Sequence, residues 1–226
     1  MSGLQDTVFK VSEADAYFRR NRAAMATRDM SRDLPLFLID LYQLRPGTVF
    51  EVGASNGFRL DEIRKRFGTC CVGLEPSAEA IQDAKDRFPE IQMLQGTAAD
   101  IPWHDPFDVV IANYVLHWVD RSTLLQSVAE IDRMVKDGGY LILGDFAPAN
   151  RIRVPYHHKE PLWTFKQDYG GLFVGTGLYH PVAYLSGTHG HGDLTADVPE
   201  HERAGCWLLE KRLTDHYVTT PRQEGV

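Results

Sequence analysis

Residues 48–57 read TVFEVGASNG. Thr48 to Gly53 is a short apolar run, partly β-branched, and its length suits a buried strand rather than a helix. The small residues that follow, Gly53, Ala54, Ser55, Asn56 and Gly57, let a backbone turn tightly and approach a ligand closely. Leu60, Ile63 and Phe67 then recur at helical spacing. A strand, a glycine turn and a helix in that order leave the unpaired N–H groups of the first helical turn facing whatever the turn holds. The bland alternative is a tight strand-to-helix connection that holds nothing.

The same rhythm continues outward. Residues 34–44 form an apolar helix that stops at Arg45-Pro46-Gly47. A second strand is expected over Cys71–Leu74, a helix over Ala78–Phe88 with Ile81, Ala84 and Phe88 on one face, and a third strand over Ile91–Leu94. Phe107–Ala112 (FDVVIA) reads as a fourth strand. Asp120 is placed to cap a helix carrying Leu124, Val128, Ile131 and Val135, which Lys136-Asp137-Gly138-Gly139 ends. Tyr140–Gly144 (YLILG) is a fifth strand, and a late strand near 205–212 closes the sheet. Strands alternating with helices of this length predict an α/β, doubly wound, mostly parallel sheet, with ligands bound outside the carboxyl ends of its strands. Residues 1–33 read as a helical N-terminal cap. Residues 147–204, broken by Pro148, Pro155, Pro161 and Pro181 and rich in Tyr and His, read as an irregular or helical lid. Residues 205–226 form the closing strand and a tail. The charged stretches 61–66 and 83–87 are expected to be outer helix surface.

The chain has 226 residues, 43% hydrophobic and 24% charged, with a net charge of −7. This suits one globular domain. An acidic chain lacks the broad positive field that nucleic acid requires. Cys70, Cys71 and Cys206 make no disulfide framework and no zinc pair. Neither a signal peptide nor a run of about 18 apolar residues is found, so a cytoplasmic protein away from membranes is expected, as monomer or homodimer.

Glu75 ends the second strand, 24 residues after Glu51. A carboxylate there can accept both hydroxyls of a ribose. Together with the turn it points to an adenosine-type ligand. A dinucleotide loop prefers G-x-G-x-x-G, whereas here Gly53 and Gly57 are four apart with Ser55 between them, a poor match.

The segments VFEVGASNG, VGLEPS, LQGTAADIPW, FDVVIANYVLHWV and VKDGGYLILGDF, within residues 48–146, resemble class I S-adenosylmethionine-dependent methyltransferases of the small-molecule type, in order and spacing. The resemblance implies a seven-stranded sheet with S-adenosylmethionine as cofactor. It implies that Glu51, Gly53, Ala54, Ser55 and Gly57 hold the methionine part, Glu75 and Pro76 the ribose, and Thr97 and Ala98 the adenine. Asn113 and Tyr114 would lie beside the transferred methyl group. Thr97 stands where the family often has Asp, and Asp100 is the candidate substitute. Tyr17 and Arg20, in the N-terminal cap, are expected to fold over the cleft, with Arg20 facing a carboxylate.

Methyl transfer asks the protein to align a nucleophile, exclude water and often take up a proton. His117 is the candidate base, against the alternative of a histidine packed beside Trp118. Tyr114, His157 and His158 are further candidates, although adjacent residues such as His157 and His158 usually point apart. His189-Gly190-His191 lacks a third and fourth ligand at standard spacing, so no metal is expected and a glycine loop is the better reading. The acceptor is expected to be a small molecule offering an O, N or C nucleophile, from sugar or secondary-metabolite chemistry on the likeness of the tail 145–169 to such enzymes. A nucleotide-dependent oxidoreductase and a non-catalytic cofactor-binding domain are the competing readings.

Overall fold

The computed structural model describes residues 4–189, 193–214 and 217. Helix α1 (Leu4–Val8) runs through a π-helical turn (Phe9–Glu13) into α2 (Ala14–Ala26), and α3 (Leu34–Leu41) follows. Next come β1 (Thr48–Val52), α4 (Phe58–Phe67), β2 (Cys70–Glu75), α5 (Ala78–Arg87), β3 (Gln92–Gln95), β4 (Phe107–Asn113), α6 (Leu124–Met134) and β5 (Val135–Phe146). The last third holds β6 (Ile152–Pro155), β7 (Trp163–Lys166), α7 (Gly170–Val174), β8 (Tyr179–Thr188) and β9 (Arg203–Lys211).

Seven strands form one sheet in the order β3-β2-β1-β4-β5-β9-β8. The pairings from β3 to β5 are parallel, and β9 is antiparallel to both of its neighbours. The chain leaves β1 toward β2 on one side and β4 on the other, so a crevice opens where the strand order reverses. Val49 to Val52 are all at most 1% exposed, as expected of a central strand covered on both faces. One core, with Phe50, Val110, Leu141 and Tyr169, lies under α6 and α7; the other, with Ile39, Ile63, Ile111 and Leu208, lies under α3 and α4.

Several boundaries differ from the sequence reading. Helix α3 ends at Leu41 rather than at residue 44, because Gln43 takes φ 51° and the chain closes on itself: Gln43 N–H reaches Asp40 O (3.1 Å) and Leu44 N–H reaches Ile39 O (2.9 Å). Asp120 does not cap α6. Its carboxylate accepts from Ser122 N–H and Oγ (2.9 and 2.7 Å), building a separate turn, and the helix opens three residues later after Thr123. Lys136–Gly139 is not a helix end. Strand β5 already begins at Val135, pairs there with Phe107 and shifts register before Val109, with Gly138 at φ 77°. The region read as irregular or helical instead contains the β6–β7 hairpin and the ten-residue β8.

The two stretches read as outer charge also contain buried carboxylates. Asp61 meets Arg64 and Lys65, and Asp83 takes Asn56 Nδ2 (2.6 Å) and Arg22 (2.5 Å). The helix surface becomes an anchor there because α2 packs across α5. Gly190, His191 and Gly192 lie outside the described residues. Among the described residues there is no cluster of three metal-ligating side chains, and no helix is long and apolar enough to cross a membrane.

Candidate active site

The crevice at the carboxyl ends of β1, β2 and β4 is a cavity of about 200 Å³. Its floor is the turn after β1. Gly53 sits at φ 71°, its N–H and that of Ala54 both bond Leu74 O (2.8 and 3.0 Å), and a Cβ on it would lie 2.7 Å from Val115 Cγ2. Glycine is required there by both conformation and space. Ser55 takes φ 51°, so the turn's middle residue adopts the left-handed conformation without being glycine.

Glu51 stands at one end, 1% exposed. Its Oε1 accepts from Arg59 Nη1, and Arg59 donates through Nε and Nη2 to Asp33 (2.9–3.1 Å). Glu51 lines the cavity, and its buried Oε2 has no partner among the described residues. Burial raises the Glu51 pKa, and although Arg59 opposes this, Asp33 competes for the same guanidinium. An unpaired acceptor of this kind calls for a cationic donor from the ligand. Arg28 lines the same end, 3.7 Å from Asp33 and 5.7 Å from the centroid of the Phe58 ring.

Glu75 stands at the other side. Ser55 N–H donates to Oε2 (2.8 Å) and Ser77 N–H to Oε1 (2.9 Å), which fixes the carboxylate without a cation. Burial pushes its pKa up to about 7, only partly offset by those two N–H groups. Beyond it, Gly96 to Ala99 and Ser127 line the wall, and the buried Ser127 Oγ has no partner among the described residues. The cover is aromatic. Trp118 stacks on Phe9 (5.2 Å between centroids) and meets Tyr17 edge-on (5.0 Å), and its Nε1 is likewise unpartnered among the described residues.

Of the residues singled out in the sequence, the cavity gathers Tyr17, Glu51, Gly53, Ala54, Ser55, Glu75, Pro76, Thr97, Ala98, Asn113 and Tyr114. It does not gather the others. Gly57 shapes the start of α4 at φ 75° but does not line the cavity. Arg20 is exposed and engaged with Glu13 and the Tyr156 hydroxyl (3.0 Å), so it is not the arginine at the cleft. His117 is 2% exposed and its Nδ1 lies 2.9 Å from Asp145 Oδ1. Asp145 also accepts Leu116 N–H (2.9 Å) and Phe146 N–H (2.8 Å), so the pair clamps the ends of β4 and β5 rather than facing the cavity. His157 and His158 are exposed on the β6–β7 turn. Their rings lie 3.8 Å apart rather than pointing apart, and neither lines the cavity. Asp100 is exposed and does not substitute for a carboxylate at Thr97.

Asp33, Arg59 and Arg28 were not found from the sequence. Arg59 sits two residues past Gly57, a spacing that flags it only once the turn is known to face a ligand.

Residues 50–143 match the methyltransferase domain family. A malonyl-[acyl-carrier protein] O-methyltransferase of Coxiella burnetii is 28% identical over 186 residues, covering 81% of this chain and 56% of the relative. An uncharacterized methyltransferase of Synechocystis sp. is 33% identical over 121 residues, covering 49% and 57%. The chain spans about half the length of the curated relatives it matches. Among solved structures, the 1,6-didemethyltoxoflavin-N1-methyltransferase of Burkholderia thailandensis, bound to its substrate and S-adenosylhomocysteine, superposes with TM-score 0.70 at 12% identity over 94% of this chain and 92% of that one.

Proposed function

We propose that this chain, a class I S-adenosylmethionine-dependent methyltransferase, transfers a methyl group to a small-molecule acceptor through an O, N or C nucleophile, the acceptor coming from sugar or secondary-metabolite chemistry. The observation that carries the reading is the pair of carboxylates facing one cavity: Glu51 with its orphaned Oε2, and Glu75 held by two backbone N–H groups. They suit an ammonium at one end and a ribose diol at the other. Arg28 would hold the methionine carboxylate, Gly53 to Ser55 the methionine backbone, and Thr97 to Ala99 with Ser127 Oγ the adenine edge. The bound cofactor supplies a methyl group already activated by a sulfonium. The chain supplies alignment and a dry site: Phe9, Tyr17 and Trp118 cover the cleft and exclude water that would compete with the acceptor. The net charge of −7 favours a small molecule over nucleic acid. In this reading the enzyme works in the cytoplasm as a monomer or homodimer.

Isothermal calorimetry with S-adenosylmethionine, S-adenosylhomocysteine and NAD⁺ tests it. Saturable binding of the first two and none of the third is expected. Saturable NAD⁺ binding without the sulfonium would replace this reading with an oxidoreductase.

A further inference from the structure

Among the described residues, three carboxylates line the cavity: Glu51, Glu75 and Asp6. The first two have places in the reading above, and Asp6, on α1, has none. It is 8% exposed, and its side chain is held against the turn between β4 and α6. Asp120 N–H donates to Oδ1 (2.9 Å), and the Thr123 hydroxyl donates to Oδ2. The cap answers in kind, Gln5 N–H donating to the Asp120 carboxylate (3.1 Å). An ionised carboxylate offers about four lone-pair sites, so these two donors leave Asp6 able to accept more.

Hydrogen bonds place Asp6 at one particular end of the cavity. Its partner Thr123 immediately precedes α6, and Thr123 O accepts Ser127 N–H (2.9 Å) one turn along. Ser127 is buried, lines the cavity, and carries the orphaned Oγ. On the same helical turn, Gln126 Nε2 donates to Ala99 O (2.7 Å) and so fastens α6 to the wall after β3. Asp6, Thr97, Ala98, Ala99 and Ser127 thus share the end assigned to adenine. That wall offers few acceptors of its own. Asp100 is exposed, Thr97 O already accepts Asp100 N–H (3.0 Å), and Ala99 O is taken by Gln126.

We infer that Asp6 accepts the exocyclic amine of the cofactor's adenine, with Ser127 Oγ donating to a ring nitrogen beside it, so that the N-terminal cap reads the base. The inference rests on the methyl-transfer reading above and adds to it a specificity residue from outside the sheet. An amine N–H offered to a carboxylate makes a charge-assisted hydrogen bond. A base with a carbonyl in place of the amine turns an oxygen toward the carboxylate and leaves both without a donor. A site built to bond an N–H rejects such an analogue strongly. The contact also couples ligand to cap, because the carboxylate that meets the base is the one that holds α1 to the turn before α6.

The test compares S-adenosylhomocysteine with S-inosylhomocysteine, in which a carbonyl replaces the amine, by calorimetry on the full chain. Wild type is expected to bind the adenosyl compound about tenfold or more tightly. Asp6→Asn can offer an amide N–H to the carbonyl, and its ratio should fall to about threefold or less. Thr123→Val removes one partner of the latch but keeps the carboxylate, so it should weaken both ligands alike and retain the wild-type ratio. A merely structural Asp6 would give that second pattern in both variants. Hydrogen exchange on wild type needs no variant, and it decides should Asp6→Asn bind neither ligand: at equal saturation the adenosyl compound should slow exchange over residues 4–13 more than the inosyl compound. Equal affinities in wild type, the wild-type ratio kept in Asp6→Asn, or equal slowing of the cap by both ligands overturns the inference. Failure to bind S-adenosylhomocysteine at all overturns the reading beneath it.

Discussion

Glu75 is a carboxylate with two backbone donors and, among the described residues, no cation beside it, so its proton follows the state of the cleft. With a pKa raised to about 7 in the folded protein, it keeps its proton across a range where the unfolded chain has lost it. Its contribution to stability is fully present below the ordinary carboxylate pKa and is lost as pH rises toward 7, by roughly 3 kcal/mol in all. Ribose hydroxyls prefer the ionised form, so cofactor binding releases that proton. The rise in melting temperature given by saturating S-adenosylhomocysteine should therefore grow between pH 6 and pH 8 in wild type, and Glu75→Gln should flatten that growth; scanning fluorimetry across the range reads both. Glu51 and Glu75 were legible in the sequence because each sits where a strand ends and a turn begins. Arg28 and Asp33 were not, because they approach Glu51 only through packing between elements distant in sequence, which no local pattern encodes. Of the two readings of His117, the packed one holds: its ring lies 4.5 Å from that of Trp118, and the carboxylate of Asp145 that fixes it, 28 residues on, is announced by nothing local.

Among the elements, the N-terminal segment is the one whose attachment governs access to the cleft. Gln5 on α1 is 5% exposed. Its Nε2 donates to Trp118 O (2.6 Å) and Trp163 O (2.8 Å), and its Oε1 accepts Trp163 N–H (3.0 Å). It thus ties the cap to the turn after β4 and to the β6–β7 hairpin at once. Gln5→Ala would strip those backbone groups of their partner at about 1–3 kcal/mol. The expected result is faster hydrogen exchange over residues 4–13 and faster release of S-adenosylhomocysteine, with slower exchange in β1 and β4 retained; unchanged exchange in the cap would show that Gln5 does not hold it. The parallel strands were legible from their apolar runs. Strand β8 was hidden by Pro181, which reads as a breaker. The structure accommodates it because β8 is the sheet's edge and its register shifts between Pro181 and Ala183. The early start of β5 was hidden by Gly138-Gly139, which imitate a helix terminus.

At the scale of the whole molecule, one buried cation joins three elements. Arg59 on α4 binds Asp33, which caps α3, and Glu51 on β1, with the arginine side chain 5% exposed. Arg59→Met would fill the space but leave the buried Glu51 without its hydrogen-bonded cation and Asp33 with only Arg28 at 3.7 Å, at a cost of about 3–5 kcal/mol. Urea unfolding should show a lower midpoint with an unchanged slope, because the surface exposed on unfolding is the same; a midpoint within error of wild type would mean that the carboxylates simply take up protons. The doubly wound sheet was readable because its alternation of elements is a global pattern carried by many residues, none of which must be right alone. The antiparallel end was less readable, since β9 inserts beside β5, from which three intervening strands separate it in the chain.

That end of the sheet has a consequence for how the chain is made. β9 lies between β5 and β8 although it is translated after both. On the ribosome, β5 and β8 therefore emerge with facing edges that cannot pair with each other in the native arrangement, and the apolar flank of β5 stays open for some sixty residues of synthesis. Two of the seven strands, β8 and β9, join the sheet only with this single late insertion, which makes nascent chains paused within 147–202 the natural clients of a holdase.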